Sequence, residues 1–144
     1  MANVRILGPV GSSASELPFF SFRVPAGFPS PAQDHLERKI SLDDLLDIAA
    51  PHTYLVQAEG DSMRGVGIFD GDVLVVSRAL PAGDGDIVIA AINGEPFVKR
   101  LSRRGAQLAL LSANPRFAPR PIGEGDELTI WGVVTASIRR HAHG

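Results

Sequence analysis

The sequence predicts a mainly β, antiparallel fold preceded by a flexible N-terminal arm and short helical segments, and three observations carry this. From Thr53 onward, short apolar runs recur between Gly, Asp, Asn and Pro: TYLVQA, DVLVVS, DIVIAAI, PFVKRL, QLALLS and ELTIWGVVTASI. Their β-branched and aromatic residues suit a pleated, half-buried surface. Asn93-Gly94, between DIVIAAI and PFVKRL, is a two-residue hairpin signal, because a type I′ turn needs positive φ at both positions. Before residue 32, by contrast, five prolines and scattered apolar residues give no period at all.

The elements follow in order. Residues 1–31 read as the arm, with Pro9, Pro18, Pro25, Pro29, Pro31 and a Gly-Ser-Ser-Ala-Ser stretch. Its aromatic cluster Phe19, Phe20, Phe22 and Phe28 suggests that it packs onto something for part of its life. Residues 32–50 read as a short helical connector in two pieces. Ser30, Pro31 and Gln33 supply an N-cap, a first-turn proline and a capping-box partner. Ser41 with Asp44 gives a second start, followed by an apolar stripe of Leu42, Leu45, Leu46 and Ala49. Residues 51–144 form the β body. EGDSM, DGDVL and DGDIV reuse one Gly-Asp turn, which common turn chemistry explains without duplication.

Composition narrows the function classes. At 144 residues the chain has room for one ordinary domain with a hydrophobic core. Fourteen basic against sixteen acidic side chains provide no field for nonspecific DNA binding, so no direct sequence-specific DNA contact is expected. The lack of cysteine leaves Ser, Thr, Asp or Lys for covalent chemistry. No apolar run reaches spanning length and no leader pattern opens the chain, so no membrane partner and a cytoplasmic location are expected.

Lysine occurs only at Lys39 and Lys99. Lys39, in HLERK, reads as a solvated surface residue. Lys99 lies in PFVKRL, where two-residue alternation puts Phe97, Lys99 and Leu101 on one face and Val98 and Arg100 on the other. An amine deprived of water there favours its neutral form and becomes a usable base, although a snorkelling edge lysine fits the same pattern. Ser62 sits in a Gly-Asp turn at a strand end that opens into a glycine-rich loop. A nucleophile can stand in such a place, with the backbone N–H groups of Ser62 and Met63 facing a developing oxyanion; a plain turn serine fits equally. The G-x-S-x-G elbow fails at Arg64, and none of His35, His52, His141 or His143 has a triad context. His141 and His143 lack a third ligand and Asp70 and Asp72 lack calcium-loop spacing, so no metal or cofactor is expected.

In combination, AGFPSPA, a helical segment ending DLL, EGDSM, GDIVIAAINGEPFVKRL and WGVV closely resemble the LexA/UmuD self-cleaving serine peptidases, and within them the UmuD-like members. The likeness runs from about Phe22 to Ile138. It implies a LexA/signal-peptidase-like catalytic domain with Ser62 as nucleophile, Lys99 as general base and Ala26-Gly27 as the scissile bond. It also implies a homodimer, stimulation by a RecA–single-stranded DNA filament, and service to a UmuC-type translesion polymerase after truncation. Ala-Gly is the bond type of the LexA repressors, and Pro25, a less familiar neighbour, bears on the speed of cleavage. Those repressors carry a helix-turn-helix domain, whereas 26 residues precede Gly27, so a repressor role is not expected. Two other readings stand beside this one: a noncatalytic polymerase accessory module with a vestigial dyad, and a signal-peptidase-like processing enzyme, which calls for a membrane anchor.

Overall fold

The apolar runs after Thr53 need partners for their backbone groups, and they find them in one another. The structure, a computed structural model, describes residues 3–11, 16–20, 36–48 and 50–142, with the backbone alone for 16–20 and 36–39. In chain order the elements are β1 (Val4–Pro9), β2 (Glu16–Phe20), β3 (Leu36–Ser41), α1 (Leu42–Leu46), β4 (Thr53–Ala58), β5 (Val73–Ser77), β6 (Ile87–Ile92), β7 (Glu95–Arg104), β8 (Gln107–Leu111), β9 (Arg120–Pro121) and β10 (Leu128–Ile138). Eight strands form one sheet in the order β1-β4-β5-β10-β6-β7-β8-β9, and β2 and β3 pair separately. Every pairing is antiparallel, as the sequence predicts. The β6–β7 hairpin closes at Ile92↔Glu95, with Asn93 and Gly94 at φ 51° and 87°, the left-handed pair that a type I′ turn requires.

Alternation along the strands feeds two apolar clusters. Ile89 and Val98 join Val56, Met63, Leu74 and Val76 in one. Val88, Ala90 and Ile92 join Leu101, Leu110 and Val133 in the other, with Phe97 packed against it. Each fully buried aliphatic side chain contributes about 1.5–3 kcal/mol. Lys99 therefore shares its strand parity with Phe97 and Leu101, as expected, and sits half-buried beside the second cluster.

Three expectations for the N-terminal third need correction. Val4–Pro9, read as part of a flexible arm, is an edge strand registered on β4 from Val4↔Ala58 to Pro9↔Tyr54, with Val4 in the core. Scattered apolar residues give no local strand signal, but an open strand edge supplies the missing hydrogen bonds. Leu36–Ser41, read as helical, is a strand paired with Glu16–Phe20. Local capping chemistry lost there to cross-strand pairing; the start of that helical piece, residues 31–35, lies outside the described residues. Ser41 does cap α1, its hydroxyl accepting from Asp44 N–H at 3.1 Å, yet the helix is one turn long and Leu42 and Leu45 stand half-exposed. Ala49 of that stripe, Phe22, Phe28 and His143 also lie outside the described residues.

Candidate active site

Ser62 follows β4 in a turn built from its own backbone. Gly60 N–H donates to Asp70 Oδ1 at 2.8 Å, and Arg64 N–H to the Asp61 carbonyl at 3.3 Å, leading into a 3-10 turn at Arg64–Val66. Met63, 2% exposed, pins the turn to the first cluster, and Ser62 beside it is itself buried. Among the described residues, the Ser62 and Met63 N–H groups have no hydrogen-bond acceptor, which leaves both available to an incoming oxygen.

The segment after β8 closes the turn from outside. Ala113 N–H donates to the Ser62 carbonyl at 2.8 Å, Asn114 Nδ2 to the Asp61 carbonyl at 3.0 Å, and Gly65 N–H to the Ala113 carbonyl at 2.6 Å. A Cβ on Gly65 would meet that same carbonyl oxygen at 2.5 Å, so no larger residue fits this approach. One residue earlier, Ser112 Oγ accepts from Lys99 Nζ at 2.7 Å. Ser112, Ala113 and Asn114 thus hold the lysine with one end and the serine turn with the other.

Lys99 Nζ lies 6.0 Å from the centre of the Phe97 ring and 5.8 Å from that of Phe117. Burial among these groups pushes its pKa below the ordinary lysine value, because the charged form loses more water than the neutral one. Ser62 and Lys99 both line a cavity of about 230 Å³, together with Asn3, Phe97 and Phe117. A larger cavity of about 430 Å³ shares Phe97, Lys99 and Phe117 with it and runs on past Ser112, Leu110 and Ile92.

The structure thus brings Ser62 and Lys99 to one cavity, with Met63 following Ser62 in the turn and its side chain in the core. Ala26 and Gly27 lie outside the described residues, in the chain between β2 and β3. Two residues of the site escape a reading of the sequence. Ser112 ends QLALLS, where its position beside Lys99, at the end of the neighbouring strand, becomes informative only once the β7–β8 register is known. Asn3 reaches Ser62 Oγ with Nδ2 at 3.0 Å from the opposite end of the chain, and no motif surrounds it.

Residues 18–135 match the family described as Peptidase S24-like. Protein SamA of Salmonella typhimurium is 44% identical over 132 residues, covering 92% of this chain and 89% of SamA. Protein MucA of Escherichia coli is 40% identical over 131 residues, covering 90% and 89% respectively. A LexA repressor of Bordetella avium is 41% identical over 120 residues, which is 83% of this chain but 56% of the repressor, so the chain spans about half the length of that relative. With the family matched over most of the antiparallel body and the likeness to SamA and MucA running nearly end to end, the chain belongs to the Peptidase S24-like family, as a UmuD-like member of the LexA/UmuD group.

Proposed function

We propose that this protein is a self-cleaving serine peptidase in which Ser62 is the nucleophile, Lys99 the general base and the Ala26-Gly27 bond the substrate. The observation that carries this is the cavity lined by both a buried serine and a partly desolvated lysine, whose amine is held by Ser112. Neutral Nζ takes the Ser62 proton as Oγ bonds to the Ala26 carbonyl carbon, and the carbonyl electron pair moves to oxygen, where the Ser62 and Met63 N–H groups receive it. Collapse breaks the C–N bond, and the Lys99 ammonium returns the proton to the Gly27 amine. Water then hydrolyses the acyl-enzyme by the same base. The β2–β3 pair tethers both ends of the segment that contains Ala26 and Gly27, and the larger cavity continuous with Lys99 offers room for its flanking residues.

The likeness to SamA and MucA supports a UmuD-like role in SOS mutagenesis. Within it, a RecA–single-stranded DNA filament stimulates cleavage, and the truncated homodimer serves a UmuC-type translesion polymerase in the cytoplasm. The peptidase chemistry is then a single-use switch that releases the β body for its lasting task.

The test is to incubate the purified full-length chain between pH 7 and 10 and weigh it by mass spectrometry. Residues 27–144 should accumulate, about tenfold faster per pH unit until Lys99 is neutral, with a midpoint below the ordinary lysine value because burial lowers its pKa. Ser62→Ala, Lys99→Ala and Lys99→Arg should each stay intact, the last because guanidinium keeps its proton. A flat pH profile, or normal cleavage in any of the three, sinks the assignment. An intact wild-type chain, with and without the filament, would favour a noncatalytic accessory role.

A further inference from the structure

Asn3 stands one residue before β1, and three hydrogen bonds fix it. Its carbonyl accepts from Glu59 N–H at 2.7 Å, extending the β1–β4 pairing that begins at Val4↔Ala58. Its side-chain Oδ1 accepts from Val98 N–H at 2.8 Å, and its Nδ2 donates to Ser62 Oγ at 3.0 Å. The orientation of the amide follows from chemistry: Val98 N–H can only donate, so oxygen must face it and nitrogen must face Ser62. Both ends of the contact are anchored, since Val4 and Met63, the neighbours of Asn3 and Ser62, are buried in the same apolar cluster.

A hydroxyl has one proton and two lone pairs. With Nδ2 donating into one lone pair, Ser62 cannot aim its own proton at Asn3. The proton is left for the other acceptors of the cavity, which include Glu59 and Asp61 as well as a neutral Lys99 amine, and Lys99 is the one that the proposed reaction uses. We propose that Asn3 is a positioning residue for Ser62: its amide turns the Ser62 proton toward Lys99 and steadies the charge that develops on Oγ as that proton leaves. No bond of Asn3 is made or broken. The inference rests on the Ser62–Lys99 reading above and deepens it. It also has a consequence for the lifetime of the site. Asn3 lies on the N-terminal side of Ala26-Gly27, so cleavage there severs it from the chain that carries Ser62. Strand pairing, the burial of Val4 and these hydrogen bonds then keep the positioning group in place without a covalent link.

Two substitutions separate positioning from support. Asn3→Ala removes the donor and should slow self-cleavage about tenfold, the worth of one such hydrogen bond, with the midpoint of the pH–rate curve unchanged. Asn3→Asp keeps an acceptor for Val98 N–H but offers Ser62 only acceptors, so the hydroxyl proton turns away from Lys99. Its negative charge also favours the ammonium form of Lys99, so cleavage should slow further and the midpoint move to higher pH. Cleavage of Asn3→Ala at or above the wild-type rate would overturn the proposal, a faster rate marking Asn3 as a plug. So would an Asn3→Asp chain that is slower in proportion to lost thermal stability, with its midpoint unmoved. The contact itself is read by NMR of the Asn3 side-chain amide in two uncleaved full-length chains. Its resonances should differ between Ser62→Ala and Lys99→Ala, and identical signals overturn the proposal. If the wild-type chain fails to cleave or Ser62→Ala still does, the dyad reading falls, while the amide comparison still decides the Asn3–Ser62 contact.

Discussion

Lys99 is half-buried, with one hydroxyl and two aromatic rings around its amine. Desolvation by burial lowers its pKa, while the Ser112 hydroxyl, accepting at 2.7 Å, interacts more strongly with an ammonium than with an amine and so opposes that fall. The hydroxyl thus works against the neutral form yet aims the lone pair that the proposed reaction needs. Ser112→Ala should separate the two effects. The midpoint of the pH–rate curve should shift down, and the plateau above it should drop about tenfold as the amine loses its bearing. A pH–rate profile from 7 to 10 measures both, and a lower midpoint with an undiminished plateau would reduce Ser112 to a bystander. Scarce lysine and strand parity draw attention to Lys99, and a Gly-Asp turn to Ser62. Each pattern alone also fits a surface lysine or a turn serine, and the family resemblance is what joins them. Ser112 and Asn3 were not legible in the sequence. Their partners lie 13 and 59 residues away, and the strand register rather than any local pattern makes them neighbours.

Turn and strand meet at the segment 112–114, which binds the Ser62 turn through backbone groups. Gly65 is what permits this approach, since any side chain there collides with the Ala113 carbonyl. Gly65→Ala should push the two segments apart, breaking the hydrogen bonds from Gly65 N–H and to the Ser62 carbonyl while leaving the strands paired. The expected outcome is a folded chain, destabilised by about 1–3 kcal/mol, whose self-cleavage is slowed far more than its stability suggests, on the order of a hundredfold. Chemical denaturation beside a cleavage assay checks this, and unchanged cleavage would mean that the turn holds Ser62 without outside help. Six of the seven strands from Thr53 onward could be read directly because apolar runs and turn residues agreed at their junctions. β1, β2, β3 and the two-residue β9 could not, since each depends on an edge that only the folded sheet or a paired strand provides.

Across the molecule, the last long strand occupies the middle of the sheet, with β10 lying between β5 and β6. Its end therefore returns to the start of β5. Arg139, just past Ile138, donates through Nε and a terminal nitrogen to both oxygens of buried Asp72 at 2.8 Å and stacks 3.9 Å over the Phe69 ring. Phe69 N–H also donates to that carboxylate, and the Gly71 N–H of the same turn donates to Ala58, where β4 leaves for Ser62. The C-terminal end thus braces the turn beneath the nucleophile. Hydrogen bonds from Arg139 hold the Asp72 pKa below the usual carboxylate value against the opposing effect of burial. A depressed native pKa stabilises the fold above the ordinary carboxylate value, and that stabilisation is lost as pH falls through the native value. Arg139→Ala should consequently lower Tm at pH 7, on the order of 3 °C, because it leaves a buried carboxylate with Phe69 N–H as its remaining donor. The gap should narrow as the pH falls below the ordinary carboxylate value, where the unfolded chain takes up the proton first, and close as it passes through the lower native value. Thermal melts of Ser62→Ala chains with and without Arg139→Ala, at pH 3 to 7, keep cleavage out of the comparison. A difference that stays constant with pH would mean that stacking on Phe69, rather than the ion pair, is what Arg139 contributes.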